Sequence, residues 1–174
     1  MPRFRVAVVS TGGTIEKTYC AQNGALLNGA SVLDVLLGGL ELPGLEIQRR
    51  SLLNMDSLDM SSEDHEQIAQ EVAGLLEEFE GVVVVHGTDR LAETGELIYE
   101  RLQSMNRLNR PVVLTGAMRP YELRRSDASQ NVTEALLAVQ LLEPGVYCVM
   151  HGCVLSFPGV TKDRELGTFV ASHE

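Results

Sequence analysis

The sequence predicts an α/β fold with one doubly wound, mainly parallel sheet and helices on both faces. Short runs rich in β-branched residues alternate with longer stretches of helical periodicity, which is the order of parallel strands joined by crossover helices. Several of these runs are apolar throughout, as strands covered on both faces are. The 174 residues fit one domain, and the expected strand arrangement is flavodoxin-like.

The first half of the chain predicts two strands and a short helix. Residues 5–10 read as a buried strand that ends at the break of residues 11–13. Residues 20–29 hold two Asn and two Gly, which predicts a loop with turns. A short helix is expected over residues 31–37, and a strand over residues 46–52.

The second half continues the alternation. Ser61 and Asp64 have the spacing of a capping box, so a helix should begin there, and a second helix should follow the strand at residues 82–86. Asp127 is placed to cap a third helix. The remaining strands are expected at residues 111–115, 146–150 and 154–157.

The composition excludes several classes of protein. The chain has 24 acidic and 14 basic residues, and a net charge of −10 repels nucleic-acid phosphates, so no nucleic-acid partner is expected. No apolar run approaches the roughly 20 residues of a membrane-spanning helix, so no membrane partner is expected. Three cysteines indicate a reduced, cytoplasmic protein. No spacing resembles a metal site, and neither a metal nor a cofactor is expected.

Hydroxyl and carboxylate residues follow four of the predicted strands. Because parallel strands end at one edge of a sheet, we expect these residues to gather on one rim. The segments are residues 11–14 (TGGT), Asp56 with Ser57 and Asp59, residues 86–89 (HGTD) and residues 115–117 (TGA).

The segment at residues 11–14 has two chemical interpretations. It matches neither phosphate-loop pattern, so a phosphate site is weakly supported. The alternative is a hydroxyl nucleophile, Thr14, on a glycine turn whose N–H groups can face a developing oxyanion. Such a hydroxyl needs a base. Tyr19 lies five residues on, and Lys162 could approach Thr88 and Asp89 in space.

Each of these residues, taken singly, has an ordinary structural interpretation as a turn residue, a helix cap, a surface aromatic or a solvated charge. His86 at a strand end is expected to be a hydrogen-bonded structural histidine. His65 is expected to be exposed on its helix. The joint arrangement on one rim favours a functional site.

Together these residues also carry a family resemblance. Five motifs occur in order: TGGTI at 11–15, HGTD at 86–89, LTGAMRP at 114–120, SD at 126–127 with Asn131, and VTK at 160–162. This order resembles the bacterial-type L-asparaginase family of threonine amidohydrolases, from about residue 5 to about residue 169. It is most similar to short relatives, which implies that residues 1–174 are a single catalytic domain without the family's C-terminal domain.

The resemblance implies hydrolysis of L-asparagine to L-aspartate and ammonia, with low glutaminase activity and without a cofactor. Thr14 matches the nucleophile, which would form an acyl-enzyme; this covalent route is favoured over the alternative in which water attacks the amide directly. Tyr19 matches the lid tyrosine that helps to activate it. Thr88, Asp89 and Lys162 match the second catalytic group, with Thr88 orienting the attacking water or relaying a proton.

The resemblance also implies how the substrate is held. Ser57 would bind the α-carboxylate and Asp89 the α-ammonium, while backbone N–H groups near Gly13 and Thr88 would hold the oxyanion. The other expected substrate-binding residues are Leu58, Asp59, Gly87 and Ala117.

Three departures from two-domain relatives stand out. Tyr19 lies closer to Thr14, so the lid is short. Leu58 occupies a position where those relatives usually carry a glutamine that contacts substrate. Those relatives also complete the ammonium pocket with a glutamate from a neighbour's C-terminal domain, which is not expected within residues 1–174. Either a residue of another subunit takes its place, or the site is more open and binds weakly. The resemblance further implies a homo-oligomer, a dimer or a tetramer.

Three alternatives remain open. The chain could be a noncatalytic amino-acid-binding or regulatory domain on the same scaffold. It could hydrolyse another small amide, which Leu58 makes plausible. A role as the ammonia-supplying component of a transfer-RNA amidotransferase is less favoured, since the acidic surface offers no basic face for RNA.

Overall fold

A six-stranded sheet runs through the molecule in the computed structural model, which describes residues 2–28 and 31–172. The strands are, in chain order, β1 (Phe4–Gly12), β2 (Lys17–Cys20), β3 (Ala25–Asn28), β4 (Leu45–Met55), β5 (Gly81–Val85), β6 (Pro111–Thr115), β7 (Gly145–Met150), β8 (Cys153–Ser156), β9 (Val160–Asp163) and β10 (Thr168–Ala171). The helices are α1 (Leu33–Gly38), α2 (Ser62–Leu75), α3 (Leu91–Ser104) and α4 (Ala128–Leu141).

The main sheet has the order β4-β1-β5-β6-β7-β8. All neighbouring pairs are parallel except β7 with β8, which is antiparallel. The parallel strands therefore follow the flavodoxin-like order 2-1-3-4-5. The predicted fold class is confirmed.

Side chains of β5 alternate between two buried clusters, because successive residues of a strand point to opposite faces. Val82 and Val84 pack with residues of α2 and α3, whereas Val83 and Val85 pack with residues of α1 and α4. Helices thus cover both faces of the sheet, which explains why this strand is apolar throughout.

Most predicted elements lie within a few residues of their observed bounds. Ser61 and Asp64 form the expected capping box at the start of α2, with both reciprocal hydrogen bonds present. The loop expected at residues 20–29 is wrong in part. Residues up to Asn28 form the antiparallel hairpin β2–β3, and Gly29 lies outside the described residues.

The expected cap at Asp127 is also wrong in detail. Asp127 precedes α4, but its side chain makes no capping bond to that helix. It accepts instead from the backbone N–H groups of Met118 and Arg119 at 2.9 Å each, and from Asn131 at 2.9 Å. These bonds hold the segment after β6, at the rim of the sheet.

None of the described helices is long and apolar enough to cross a membrane.

Candidate active site

Two glycines bring the ends of β1 and β5 together at the carboxyl edge of the sheet. Gly13 has a φ of 82°, and a Cβ built there would lie 2.4 Å from the Gly87 Cα. A Cβ on Gly87 would in turn lie 2.6 Å from the Ser57 Oγ. Only glycine permits this approach and this backbone conformation. Three of the predicted rim segments therefore meet at Gly87.

Ser57 presents a buried hydroxyl at this meeting point. It is 1% exposed, and its Oγ has no hydrogen-bond partner among the described residues. A buried polar atom without a partner is costly and is usually found where water or a ligand completes the bonding. The Ser57 hydroxyl therefore has unused hydrogen-bonding capacity at the point where these segments meet.

Lys162 contacts Thr88 and Asp89, the other two residues of the predicted second catalytic group. Its Nζ donates to the Thr88 Oγ1 at 2.9 Å and to the Asp89 Oδ1 at 3.0 Å. Lys162 lies on β9, whose hairpin with β10 follows the main sheet. Arg164 lies 3.2 Å from the same Asp89 oxygen, but its side chain is 70% exposed. Asp89 is therefore engaged by Lys162 rather than capping α3, whose N-cap is Arg90.

Thr14 begins a short 3-10 turn, Thr14–Glu16, directly after Gly13. Tyr19 lies on β2 and is 59% exposed. Neither hydroxyl takes part in a hydrogen bond with the described part of the chain. The structure therefore brings Thr14 to the rim but does not join it to Tyr19.

The remaining predicted residues lie near the rim in different settings. Leu58 is 62% exposed and Asp59 is exposed as well, so Ser57 is the residue of this segment that turns inward. Ala117 is buried after β6. Its neighbour Gly116 is close to the third segment, because a Cβ there would lie 2.3 Å from the His86 carbonyl oxygen.

The hairpin β2–β3 is attached to the rim by contacts that sequence reasoning missed. Lys17 Nζ donates to Asp56 Oδ2 at 2.6 Å, and the Tyr19 N–H donates to Glu122 Oε2 at 2.6 Å. Asn28 Nδ2 donates to the Gly13 carbonyl at 3.3 Å. No periodicity or motif signals these pairs, because their partners are separated by 15 to 103 residues along the chain.

Two cations influence the acidic residue that precedes Ser57. The hydrogen bond from Lys17 is the main cause that lowers the pKa of Asp56, and the Leu58 N–H and the charge of Lys162 act in the same direction. Asp56 therefore stays ionised well below neutral pH. It also accepts from the Leu58 N–H at 3.1 Å, which shapes the turn containing Ser57.

The two histidines behind the rim are both buried. His86 is hydrogen-bonded, through Nδ1 to the Gly87 carbonyl at 2.8 Å and through Nε2 to the Thr94 Oγ1 at 2.8 Å. The expectation that His65 is exposed is wrong. It is 2% exposed, because its ring stacks at 6.1 Å on His86 and its Nδ1 contacts the Thr94 Oγ1 at 2.6 Å.

Within residues 2–28 and 31–172, no group of three or more His, Cys, Asp or Glu side chains is arranged to hold a metal ion. The rim carries hydroxyls, backbone N–H groups, the lysines Lys17 and Lys162, and the carboxylates of Asp56, Asp59 and Asp89. Such a set can stabilise an oxyanion and deliver a hydroxyl nucleophile to a carbonyl carbon.

Comparison with protein families gives a match to the N-terminal asparaginase model over residues 5–168. An L-asparaginase from Thermococcus kodakarensis is 34% identical over 168 residues, which cover 94% of this chain and 49% of that protein. A component of the glutamyl-tRNA(Gln) amidotransferase from Methanococcus vannielii is 30% identical over 149 residues, which cover 84% of this chain and 34% of that protein.

Solved structures give the same result. The thermostable L-asparaginase from Thermococcus kodakarensis superposes with a TM-score of 0.83 at 31% identity, covering 97% of this chain and 51% of that one. A probable cytoplasmic L-asparaginase from Campylobacter jejuni gives a TM-score of 0.78 at 30% identity, covering 97% of this chain and 52% of that one. The chain thus spans between a third and about half of the length of these relatives.

Proposed function

The chain belongs to the asparaginase family, and on that premise we propose that it hydrolyses L-asparagine to L-aspartate and ammonia with Thr14 as the nucleophile. The observation that carries the proposal is the group around Lys162. Its ammonium contacts both Thr88 and Asp89, and this pair directly follows the glycine that packs against Gly13. The nucleophile and the second group therefore both adjoin the contact between Gly13 and Gly87.

The proposed reaction has two halves. The Thr14 hydroxyl attacks the side-chain amide carbon and loses its proton, and the amide nitrogen leaves as ammonia after gaining a proton. Water oriented by Thr88 then attacks the acyl-enzyme and releases L-aspartate and the Thr14 hydroxyl. In both halves backbone N–H groups near Gly13 and Thr88 stabilise the oxyanion, and one such donor typically contributes about 3 kcal/mol.

Tyr19 is proposed to help remove the Thr14 proton. Because its side chain is 59% exposed and unbonded to Thr14, the hairpin β2–β3 has to close over substrate for this step. A hairpin of two short strands is only marginally stable by itself, so movement of this segment as a unit is physically reasonable.

Substrate binding is proposed to use Ser57 for the α-carboxylate and Asp89 for the α-ammonium. The buried, unpartnered Ser57 hydroxyl supports the first assignment, and the anionic carboxylate of Asp89, ion-paired with Lys162 beside the cleft, supports the second. Gly13, Gly87 and Ala117 supply backbone to the pocket, with Leu58 and Asp59 at its open side. Glutamine should be a poor substrate, since one extra methylene is worth ~1–3 kcal/mol in a fitted pocket.

The same family assignment supports two broader proposals. We propose a homo-oligomer, a dimer or tetramer, because the open side at Leu58 and Asp59 leaves room for a neighbouring copy of the chain. We also propose a cytoplasmic location, in line with the three free cysteines and with the Campylobacter jejuni relative, which is described as a probable cytoplasmic enzyme.

The test is ammonia release from L-asparagine and L-glutamine by wild type, Thr14→Ala and Lys162→Met. Wild type should turn over asparagine much faster than glutamine. Thr14→Ala should lose essentially all activity, and Lys162→Met should lose most of it, because the contact to Thr88 and Asp89 is removed. Full activity in either variant would contradict the proposed mechanism.

A wild type without asparaginase activity would favour one of the alternatives. Tight calorimetric binding of L-aspartate without turnover would indicate a binding domain. Turnover of other amides would indicate a different substrate. Ammonia release only in the presence of a glutamyl-tRNA amidotransferase partner would indicate a role like that named for the Methanococcus vannielii relative.

A further inference from the structure

A chain of hydrogen bonds runs through the core behind the proposed site. It connects, in order, the His65 Nδ1, the Thr94 Oγ1, the two ring nitrogens of His86 and the Gly87 carbonyl oxygen, with distances of 2.6, 2.8 and 2.8 Å. His65 lies on α2, Thr94 on α3, and His86 at the end of β5. The chain thus joins two helices to the backbone of the rim.

The donor and the acceptor of each bond can be assigned by starting from the Gly87 carbonyl, where the series of hydrogen bonds ends. A carbonyl oxygen only accepts, so the His86 Nδ1 carries a proton and donates to Gly87. The pKa of His86 is lowered by burial to about 4, so the ring is neutral at pH 7 and its Nε2 is an acceptor. The Thr94 hydroxyl has one proton and therefore donates it to this Nε2 at 2.8 Å, rather than to the Arg90 carbonyl at 3.4 Å.

The remaining hydrogen bond, between His65 and Thr94, is assigned in the same way. The Thr94 oxygen accepts from the His65 Nδ1, which is therefore the protonated nitrogen of that ring. The His65 Nε2 is then left as an acceptor, consistent with its lack of a partner among the described residues. The Glu93 Oε1 lies 4.0 Å from this nitrogen. The Gly87 carbonyl thus fixes the tautomer of His86, since a hydrogen bond at one ring nitrogen decides where the proton sits, and the Thr94 hydroxyl supplies the donor that this tautomer needs at Nε2.

The Gly87 carbonyl that accepts from His86 and the Thr88 N–H belong to the same peptide group. The Gly87–Thr88 peptide is trans, so its C=O and N–H point in opposite directions. When the carbonyl is held on the buried His86 ring, the Thr88 N–H points to the opposite side of the peptide, away from that ring. This N–H has no acceptor among the described residues. It is therefore free to bind a ligand.

Glycine makes such an anchor necessary. Gly87 must lack a Cβ because of its contact with Ser57, and a glycine rotates its adjacent peptides more freely than other residues. An unanchored peptide between residues 87 and 88 would be able to present its carbonyl, rather than its N–H, to the reacting oxygen. A negatively charged oxygen would then meet an acceptor instead of a donor.

We propose that His86 is a positioning residue that, supported at Nε2 by the Thr94 hydroxyl, holds the Gly87–Thr88 peptide so that the Thr88 N–H faces the oxyanion. This proposal rests on the proposed function, because an oxyanion forms only in acyl transfer. His86 does not contact substrate itself. It acts through the backbone, whereas the ring stacking with His65 and the bond to Thr94 keep it in place.

The activity experiment compares His86→Leu with His86→Asn. Leucine fills the buried space but donates nothing, whereas the asparagine amide nitrogen can replace the Nδ1 donor to Gly87. We expect kcat for asparagine to fall at least tenfold in His86→Leu, with KM within about threefold of wild type, because the oxyanion charge develops in the transition state. His86→Asn should restore kcat to within about threefold.

Two controls separate positioning from lowered stability. Ile98→Val removes a buried methylene from α3 without removing a hydrogen bond, and should leave kcat unchanged. Thr94→Ser keeps the hydroxyl and should also leave kcat near wild type, whereas Thr94→Val should lower it. An equal loss in Ile98→Val and His86→Leu, or no rescue by His86→Asn, would overturn the proposal.

A second measurement needs neither a variant nor catalysis. The ¹⁵N chemical shifts of the wild-type histidine rings at pH 7 should show His86 as the neutral Nδ1–H tautomer. The Nε2–H tautomer would overturn the proposal even if the enzyme is active. A wild type that releases no ammonia would contradict the proposed function instead, and the ring shifts would still decide whether the Gly87 carbonyl is held.

Discussion

At the scale of single residues, Ser57 is the clearest mark of a binding site in this molecule. Its hydroxyl is buried without a partner among the described residues, although folded proteins pair almost all such groups. A hydroxyl that no protein group engages, and that lies next to Gly87, is ready to donate to an anion. The substrate α-carboxylate is the anion that we propose for it.

Ser57→Ala should therefore affect binding more than stability. Loss of a hydrogen bond to a charged group typically costs about 1.5–3 kcal/mol, so KM for asparagine should rise at least tenfold. The free energy of unfolding should change by less than about 1 kcal/mol, because no protein hydrogen bond is lost. Steady-state kinetics and urea unfolding measure the two quantities.

Ser10→Ala is the matched control. Ser10 is also buried with an unpartnered Oγ, but it lies within β1 rather than on the rim. Its removal should leave KM unchanged. If both variants raised KM equally, or neither did, the role given to Ser57 would be wrong.

At the scale of elements, the hairpin β2–β3 is held by its anchors rather than by its own two strands. Lys17 binds Asp56, the backbone of Tyr19 binds Glu122, and Asn28 binds the Gly13 carbonyl. Each anchor ends on a segment next to the proposed site. The closing movement that we propose for Tyr19 therefore depends on these contacts.

Breaking the first anchor should lower activity without unfolding the protein. We expect Lys17→Met and Asp56→Asn each to reduce kcat/KM several-fold, and the double variant to be little worse than either single one, because both remove the same pair. The free energy of unfolding should fall by no more than about 1 kcal/mol, since the pair is partly exposed.

A remote ion pair provides the comparison for this anchor. Arg107 and Glu77 are 2.7 Å apart on the surface, and Arg107→Met should leave kcat/KM unchanged. If the losses of kcat/KM from Lys17→Met and Asp56→Asn added fully in the double variant, the two residues would act separately. The anchoring role given to their ion pair would then be wrong.

At the scale of the whole molecule, the sheet is buried on both faces. Neighbouring residues of β5 belong to opposite clusters, so neither face of this strand tolerates loss of side-chain volume. Gly13 and Gly87 lie just beyond the ends of β1 and β5, which are neighbouring strands of this covered sheet.

Val83→Ala and Val84→Ala should therefore both destabilise the protein by about 2 kcal/mol, as expected for two buried methyl groups plus the cavity that they leave. Urea unfolding measures both values. In a sheet covered on one face only, one of the two substitutions would cost little, so a marked difference between the variants would contradict the coverage of both faces by helices.

Local patterns in the sequence were sufficient for the sheet, its helices and the composition of its rim. Apolar β-branched runs and helical periodicity depend on residues a few positions apart, so the strands, the capping box at Ser61 and the fold class follow directly. Parallel strands also end at one edge by geometry. The hydroxyl and carboxylate residues that follow them therefore converge without further information.

Only the tertiary structure decided the contacts between distant residues. The burial of His65 depends on Thr94, which is 29 residues away, and the hairpin at residues 25–28 depends on anchors from outside it. Lys162 reaches Thr88 across 74 residues. Such pairs form when the complete chain packs, because buried polar groups find hydrogen-bond partners wherever the fold brings them together. A local sequence pattern contains no information about these partners.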